Sequence, residues 1–222
     1  MVRELFPYKT KIVAVVSVLL FVLCIAHNAL SEQNRDFQTT YDRMIEILEK
    51  AETMEFDFTR TIKSEYTGAS DTASGTVKTK GDDLSRITID DRIIVTRGDT
   101  IRDYLGSHNQ LTISLSAQPV FKELFVSEYF GGFKVASGAK NSSGLILELS
   151  PVTSDRKYTE IRMILRWNKE ISHYMPKSIS YIDDMKRQVR WEFSIIDFDP
   201  DFGSETFVFQ VPEGCRVVNL VE

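Results

Sequence analysis

A period of two runs through the middle of this chain and sets its class before any motif is found. Glu55-Phe56-Asp57-Phe58-Thr59-Arg60-Thr61-Ile62 carries apolar side chains at alternate positions, and Ser74-Gly75-Thr76-Val77-Lys78 and 92–104 continue the pattern with Gly or Asp at the breaks. Successive side chains of a strand point to opposite faces, so these runs predict an antiparallel meander with one apolar face. Strands are expected at about 55–67, 72–80, 84–90, 92–97, 100–105 and 109–115, then at 133–137, 144–150, 159–168, 176–183, 187–197 and 205–210. Gly81-Asp82-Asp83, Asp90-Asp91, Gly98-Asp99 and Asp183-Asp184 supply the turn chemistry between them.

Two segments break the period. Between Phe37 and Met54, the residues Phe37, Tyr41, Met44, Ile45 and Leu48 recur at helical spacing with charges between them. Pro119 to Phe125 reads as a short helix with Pro in its first turn and Val120, Phe121, Leu124 and Phe125 on one face. Helices inserted in a meander have to pack on the sheet, and the concave face is the expected place.

The first residues carry Arg3, Lys9 and Lys11 against Glu4, and Ile12–Ala26 is apolar apart from Ser17. That run is shorter than the roughly 20 residues a spanning helix needs. It fits a secretory signal with a cleavage site at Ala29-Leu30-Ser31, so 1–31 is expected to be a signal peptide and 32–222 a single domain. Retention of the leader as an anchor is the alternative. Leu23 precedes Cys24, which does not suit a lipoprotein signal. Cleavage lowers Lys+Arg from 27 to 24 and Asp+Glu from 32 to 31, a net charge of −7, which argues against nucleic acid as a partner. It also leaves Cys215 alone, so the fold has to stand on its core without an internal disulfide.

Catalytic motifs are scarce. His108 and His173 sit in turns, and neither is spaced as a metal ligand from a cysteine or a second histidine. No phosphate-binding glycine loop or Gly-x-Ser-x-Gly elbow occurs, and Cys215 has no base nearby in sequence. The chain is expected not to be an enzyme and to use no cofactor or metal. Fourteen Phe, eight Tyr, six Met and two Trp fit either an ordinary β core or a cavity lined for acyl chains, and composition does not separate the two.

An ordered series of landmarks then resembles the periplasmic carriers of outer-membrane lipoproteins, the LolA-like proteins. The series opens with a helix and an acidic-x-Phe strand, Glu55-Phe56-Asp57-Phe58-Thr59-Arg60, with Arg60 where the family has Gln. Gly75-Thr76-Val77 follows, and Ser85-Arg86-Ile87 keeps the arginine of a Phe-Arg-Trp element without its aromatics. Ile93-Ile94-Val95, Arg97-Gly98-Asp99, Arg102-Asp103-Tyr104 and Gln110-Leu111-Thr112-Ile113 come next, then the Pro119 helix and Phe207-Val208-Phe209-Gln210-Val211-Pro212-Glu213-Gly214. The resemblance covers about 37–218.

It implies a mainly β fold with α: an incomplete, half-open antiparallel barrel of about eleven strands, with helices forming a lid over an apolar cavity. It implies a monomeric carrier in the periplasm that shields the acyl chains of lipoproteins and ferries them from inner to outer membrane. An ATP-driven inner-membrane transporter would be the donor and an outer-membrane receptor the acceptor. Arg86 would latch the lid, and Tyr104, Phe121, Leu124, Phe125, Trp191, Phe193 and Ile195 would line the cavity. A lipid or lipoprotein sensor or adaptor on the same fold remains the alternative, with a filled structural core and an unnoticed enzyme behind it.

Overall fold

A computed structural model describes residues 34–115, 132–153 and 158–221. Helix α1 occupies 34–50, and thirteen strands follow. They are β1 (Thr53–Ser64), β2 (Ser70–Lys80), β3 (Leu84–Ile89), β4 (Arg92–Arg97), β5 (Thr100–Leu105), β6 (Gln110–Leu115) and β7 (Phe133–Asn141). After these come β8 (Gly144–Pro151), β9 (Thr159–Asn168), β10 (His173–Ile182), β11 (Arg187–Phe193), β12 (Asp197–Phe198) and β13 (Arg216–Asn219). The expected helix at 119–125 lies outside the described residues.

All thirteen strands form one sheet in the order β13-β6-β5-β4-β3-β2-β1-β11-β10-β9-β8-β7, with β12 also on β1. Its two ends, β13 and β7, are not paired to each other, so the curled sheet is an incomplete barrel. Neighbours are antiparallel except β13, which runs parallel to β6. The strand count exceeds the expected eleven because the two shortest strands, β12 and β13, join the sheet.

One face of the sheet holds the main core. Phe56 pairs with Val77, Val77 with Ile87, and Phe58 with Phe193, so these side chains share a face. From β11 onward the same face carries Trp191, Ile179, Met163 and Leu147. α1 lies on it through Phe37, Tyr41, Met44 and Leu48, all buried, while Arg43, Glu46 and Lys50 pair on the solvent side. Burying each large apolar side chain is worth about 1.5–3 kcal/mol, so these four are the main hold on the helix. Gln38 on α1 accepts a 2.7 Å hydrogen bond from the amide of Val135 and ties the helix to β7. The helix was expected to reach Met54, yet Thr53 and Met54 open β1. Met54 fits either period, and it continues the buried alternation of Phe56 and Phe58.

Two glycines explain their own positions. A Cβ on Gly75 would lie 2.1 Å from the carbonyl oxygen of Thr88 and against the Phe58 ring, so the Phe58 ring packs where a side chain would stand. A Cβ on Gly138 of β7 would lie 2.5 Å from the Phe37 ring, so glycine lets α1 approach the sheet.

The opposite face is covered over β2–β6 by a strap, residues 199–215. Its course follows from topology: β12 pairs with β1 while β13 pairs with β6, so the connection has to cross the strands between. At about 4.8 Å per strand the crossing is on the order of 25 Å, within reach of an extended segment of this length. A strand was expected at 205–210, and this is corrected. Those residues form turns in the strap, with the Thr206 amide donating to Gly203 and that of Val208 to Glu205. Phe207 is buried and Phe209 stacks on Tyr104 at 5.2 Å, so their alternation reflects contact with the sheet rather than membership of it.

Candidate functional site

The inner face presents an aromatic wall where β1 meets β11. Phe56 and Phe193 meet edge to face at 6.0 Å, and Phe58 lies 5.3 Å from Trp191. Tyr158 and Tyr181 extend the aromatic surface at 4.7 Å. Arg60 is next in the inward alternation of β1, and its guanidinium lies 5.7 Å from the Trp191 ring centre. The wall is built from strands, so its side chains are held by the ladder and not by loops.

Of the residues named from the sequence, Trp191 and Phe193 lie together in this wall. Tyr104 lies on the other face. Its pairing with Ile93 and Leu111 places it under the strap, where its hydroxyl donates to Asn109 at 3.2 Å. Both faces of β3–β6 carry apolar residues, so alternation alone did not tell inside from outside.

Ile195 is 63% exposed, and Ile196, at 3%, takes the inward place. The cause is a bulge. Phe58 pairs with Phe193 but Glu55 pairs with Asp197, so one extra residue enters the second strand and reverses its alternation. Ser194 sits at the break, its amide donating to the Asp57 carbonyl and its hydroxyl accepting from the Asp57 amide, both at 2.9 Å. Phe121, Leu124 and Phe125 lie outside the described residues.

Arg86 also faces the strap. Its Nη1 donates to the carbonyls of Thr206 and Val208, both at 3.4 Å. Its cross-strand neighbour Val95 is fully buried on the same face. Sequence reading missed this strap. Its signals were Phe202, Phe207 and Phe209 between Pro200 and Pro212, too irregular in spacing for either period.

The inner face also carries hydroxyls. Thr79, Ser85 and Thr96 lie in one cross-strand row and are buried, and the hydroxyls of Ser85 and Thr96 have no hydrogen-bond partner among the described residues.

The charged groups elsewhere serve turns. Burial raises the Asp183 carboxyl, but the amide and guanidinium of Arg187 and the amide of Met185 outweigh it and hold it below its ordinary value. The Ser107 hydroxyl and amide hold Asp91 below its ordinary value in the same manner. His173 bonds the Ile171 carbonyl within its turn, and His108 the neighbouring Ser107. Among the described residues no three His, Cys, Asp or Glu side chains converge. No described helix is long and apolar enough to cross a membrane.

No family model and no curated protein matches the sequence. Solved structures similar to the chain include a LolA superfamily protein from Nitrosomonas europaea, at 12% identity and a TM-score of 0.47 over 78% of this chain and 97% of that one. An uncharacterized conserved protein from Thermus thermophilus aligns at 13% identity and 0.49 over 83% and 99%. The lipoprotein LppX of Mycobacterium tuberculosis aligns at 9% and 0.40 over 76% and 98%. By its own pairing register, the described chain is an incomplete antiparallel barrel with a helix on its inner face, the mainly β, half-open architecture that was expected.

Proposed function

We propose that this protein is a periplasmic carrier that takes up the acyl chains of lipoproteins on its inner face and passes them from inner to outer membrane. The observation that carries this reading is the open sheet with its aromatic inner wall, covered among the described residues by the single helix α1. The order of the sequence landmarks supports it further. Each buried methylene is worth roughly 0.8 kcal/mol, so acyl chains cannot cross water bare. A sheet that is not closed can widen to admit them, whereas a closed barrel of fixed strand number cannot. Cargo then shifts the balance between a packed and an opened state, and it leaves when an acceptor competes.

In this reading the donor is an ATP-driven transporter and the acceptor an outer-membrane receptor. As the family resemblance implies, Phe121, Leu124 and Phe125 would form the lid; they lie outside the described residues. The family role of Arg86 as latch concerns that lid, while its described partners belong to the strap. A fluorescent triacylated lipopeptide in donor vesicles tests the proposal. A carrier moves label into the soluble fraction in complex with itself and then, over repeated cycles, into acceptor vesicles. A sensor captures label once and holds it. No label in complex refutes both.

A further inference from the structure

We infer that Arg60 is the seat for an anionic headgroup, so that the inner face also takes oxyanions with an alkyl tail beside the neutral acyl chains of its cargo. This rests on the acyl-binding reading above and adds a second ligand class to it. Arg60 is a cation set in an apolar wall, with Ile62 and buried Val189 one step further along the same face. Its neighbours across the ladder are Trp191 on β11 and Ala73 on β2, both buried. Its Nε is buried and has no hydrogen-bond partner among the described residues, while the side chain as a whole keeps 31% exposure, so the group is reachable. The nearest acid among the described residues, Asp71, is 3.9 Å from Nη2, beyond hydrogen-bond reach, and 76% exposed.

Two further arginines on this face contrast with it. Arg92 is bonded to Asp103 at 2.8 Å, and Arg187 to Asp183 at 2.7 Å. Only the Arg60 fork is unfilled among these three. Nε–H and Nη2–H lie on one edge of the guanidinium, the edge that a carboxylate or phosphate meets with two oxygens. A buried donor left without a partner costs free energy, and an oxyanion that meets both donors recovers more of it than a single neutral acceptor. The tail of the same ligand would lie along Trp191 and Phe58, next to the charge.

Binding of hexadecyl phosphate, hexadecanoate and hexadecanol to the full chain tests this by titration calorimetry, with inorganic phosphate as the free-anion control. Wild type is expected to bind both anionic amphiphiles at least about tenfold tighter than the alcohol, the equivalent of one charge-assisted hydrogen bond. Arg60→Gln should bring the three affinities together, and Arg60→Lys should keep part of the preference. A preference that survives in Arg60→Gln overturns the assignment while leaving acyl binding intact. Inorganic phosphate binding as tightly as hexadecyl phosphate would make the seat one for a free anion and overturn the lipid assignment. If none of the amphiphiles binds, the acyl-binding reading falls and this inference with it.

Discussion

Replacing Arg86 by Leu separates two roles for one side chain. In the structure Arg86 holds the strap by two bonds from Nη1, to Thr206 and Val208. Hydrogen bonds to charged groups contribute about 1.5–3 kcal/mol when well formed. Both are long at 3.4 Å and one is exposed, so about 1 kcal/mol each is the reasonable figure. The strap keeps its other anchors, buried Phe207 and the Tyr104–Phe209 stack, so it should loosen without unfolding the sheet. A loss of about 2 kcal/mol raises the open population of the strap about 30-fold. Hydrogen exchange reads this directly at the amides of Thr206 and Val208, which bond locally to Gly203 and Glu205. Exchange over 204–210 should quicken about 30-fold, with core strands β8 and β9 unchanged. Unaltered exchange over 204–210 would refute the strap role. A change confined to lipopeptide uptake would return Arg86 to a latch on the lid.

Three further outcomes follow from individual residues. The Asp183 carboxyl is held below its ordinary value, so its contribution is present above the unfolded value of about 4 and is lost as pH falls through the lower folded value. Urea midpoints of wild type and Asp183→Asn should therefore differ near pH 6 and converge at acid pH; a constant difference would contradict the carboxylate's role. Gly75→Ala should lower stability by about 2 kcal/mol or more, since the new Cβ meets a strand carbonyl at 2.1 Å. A melting temperature within error of wild type would show that β2 and β3 can part there. Thr96→Val removes a buried hydroxyl without a partner among the described residues and should leave stability unchanged or raise it by about 1 kcal/mol. A drop of that size would reveal a partner for the hydroxyl.

The sheet was legible because its hairpins are local. Gly98-Asp99 and Asp90-Asp91 fall at the turns where Arg97 meets Thr100 and Ile89 meets Arg92, and alternation did the rest. The α1 stripe of Phe37, Tyr41, Met44 and Leu48 was equally plain, because one-sided burial leaves a helical period in the sequence. What failed was assignment to a face. Tyr104 and Trp191 both sit in alternating apolar strands, yet they lie on opposite sides of the sheet because the strap makes a second interior. Ile195 was misplaced by one inserted residue near Ser194, and a bulge of that kind leaves no composition signal. The strap was hidden because 199–215 acts through a long-range crossing that sequence order does not display.

Intact-mass spectrometry of the protein purified from its native envelope tests the carrier account most directly. The account predicts co-purifying polypeptides with an acylated N-terminal cysteine, bound in near-equal amount and released on exposure to acceptor membranes. Protein that emerges empty and also takes up no acyl probe would contradict it and leave the aromatic wall as a filled core.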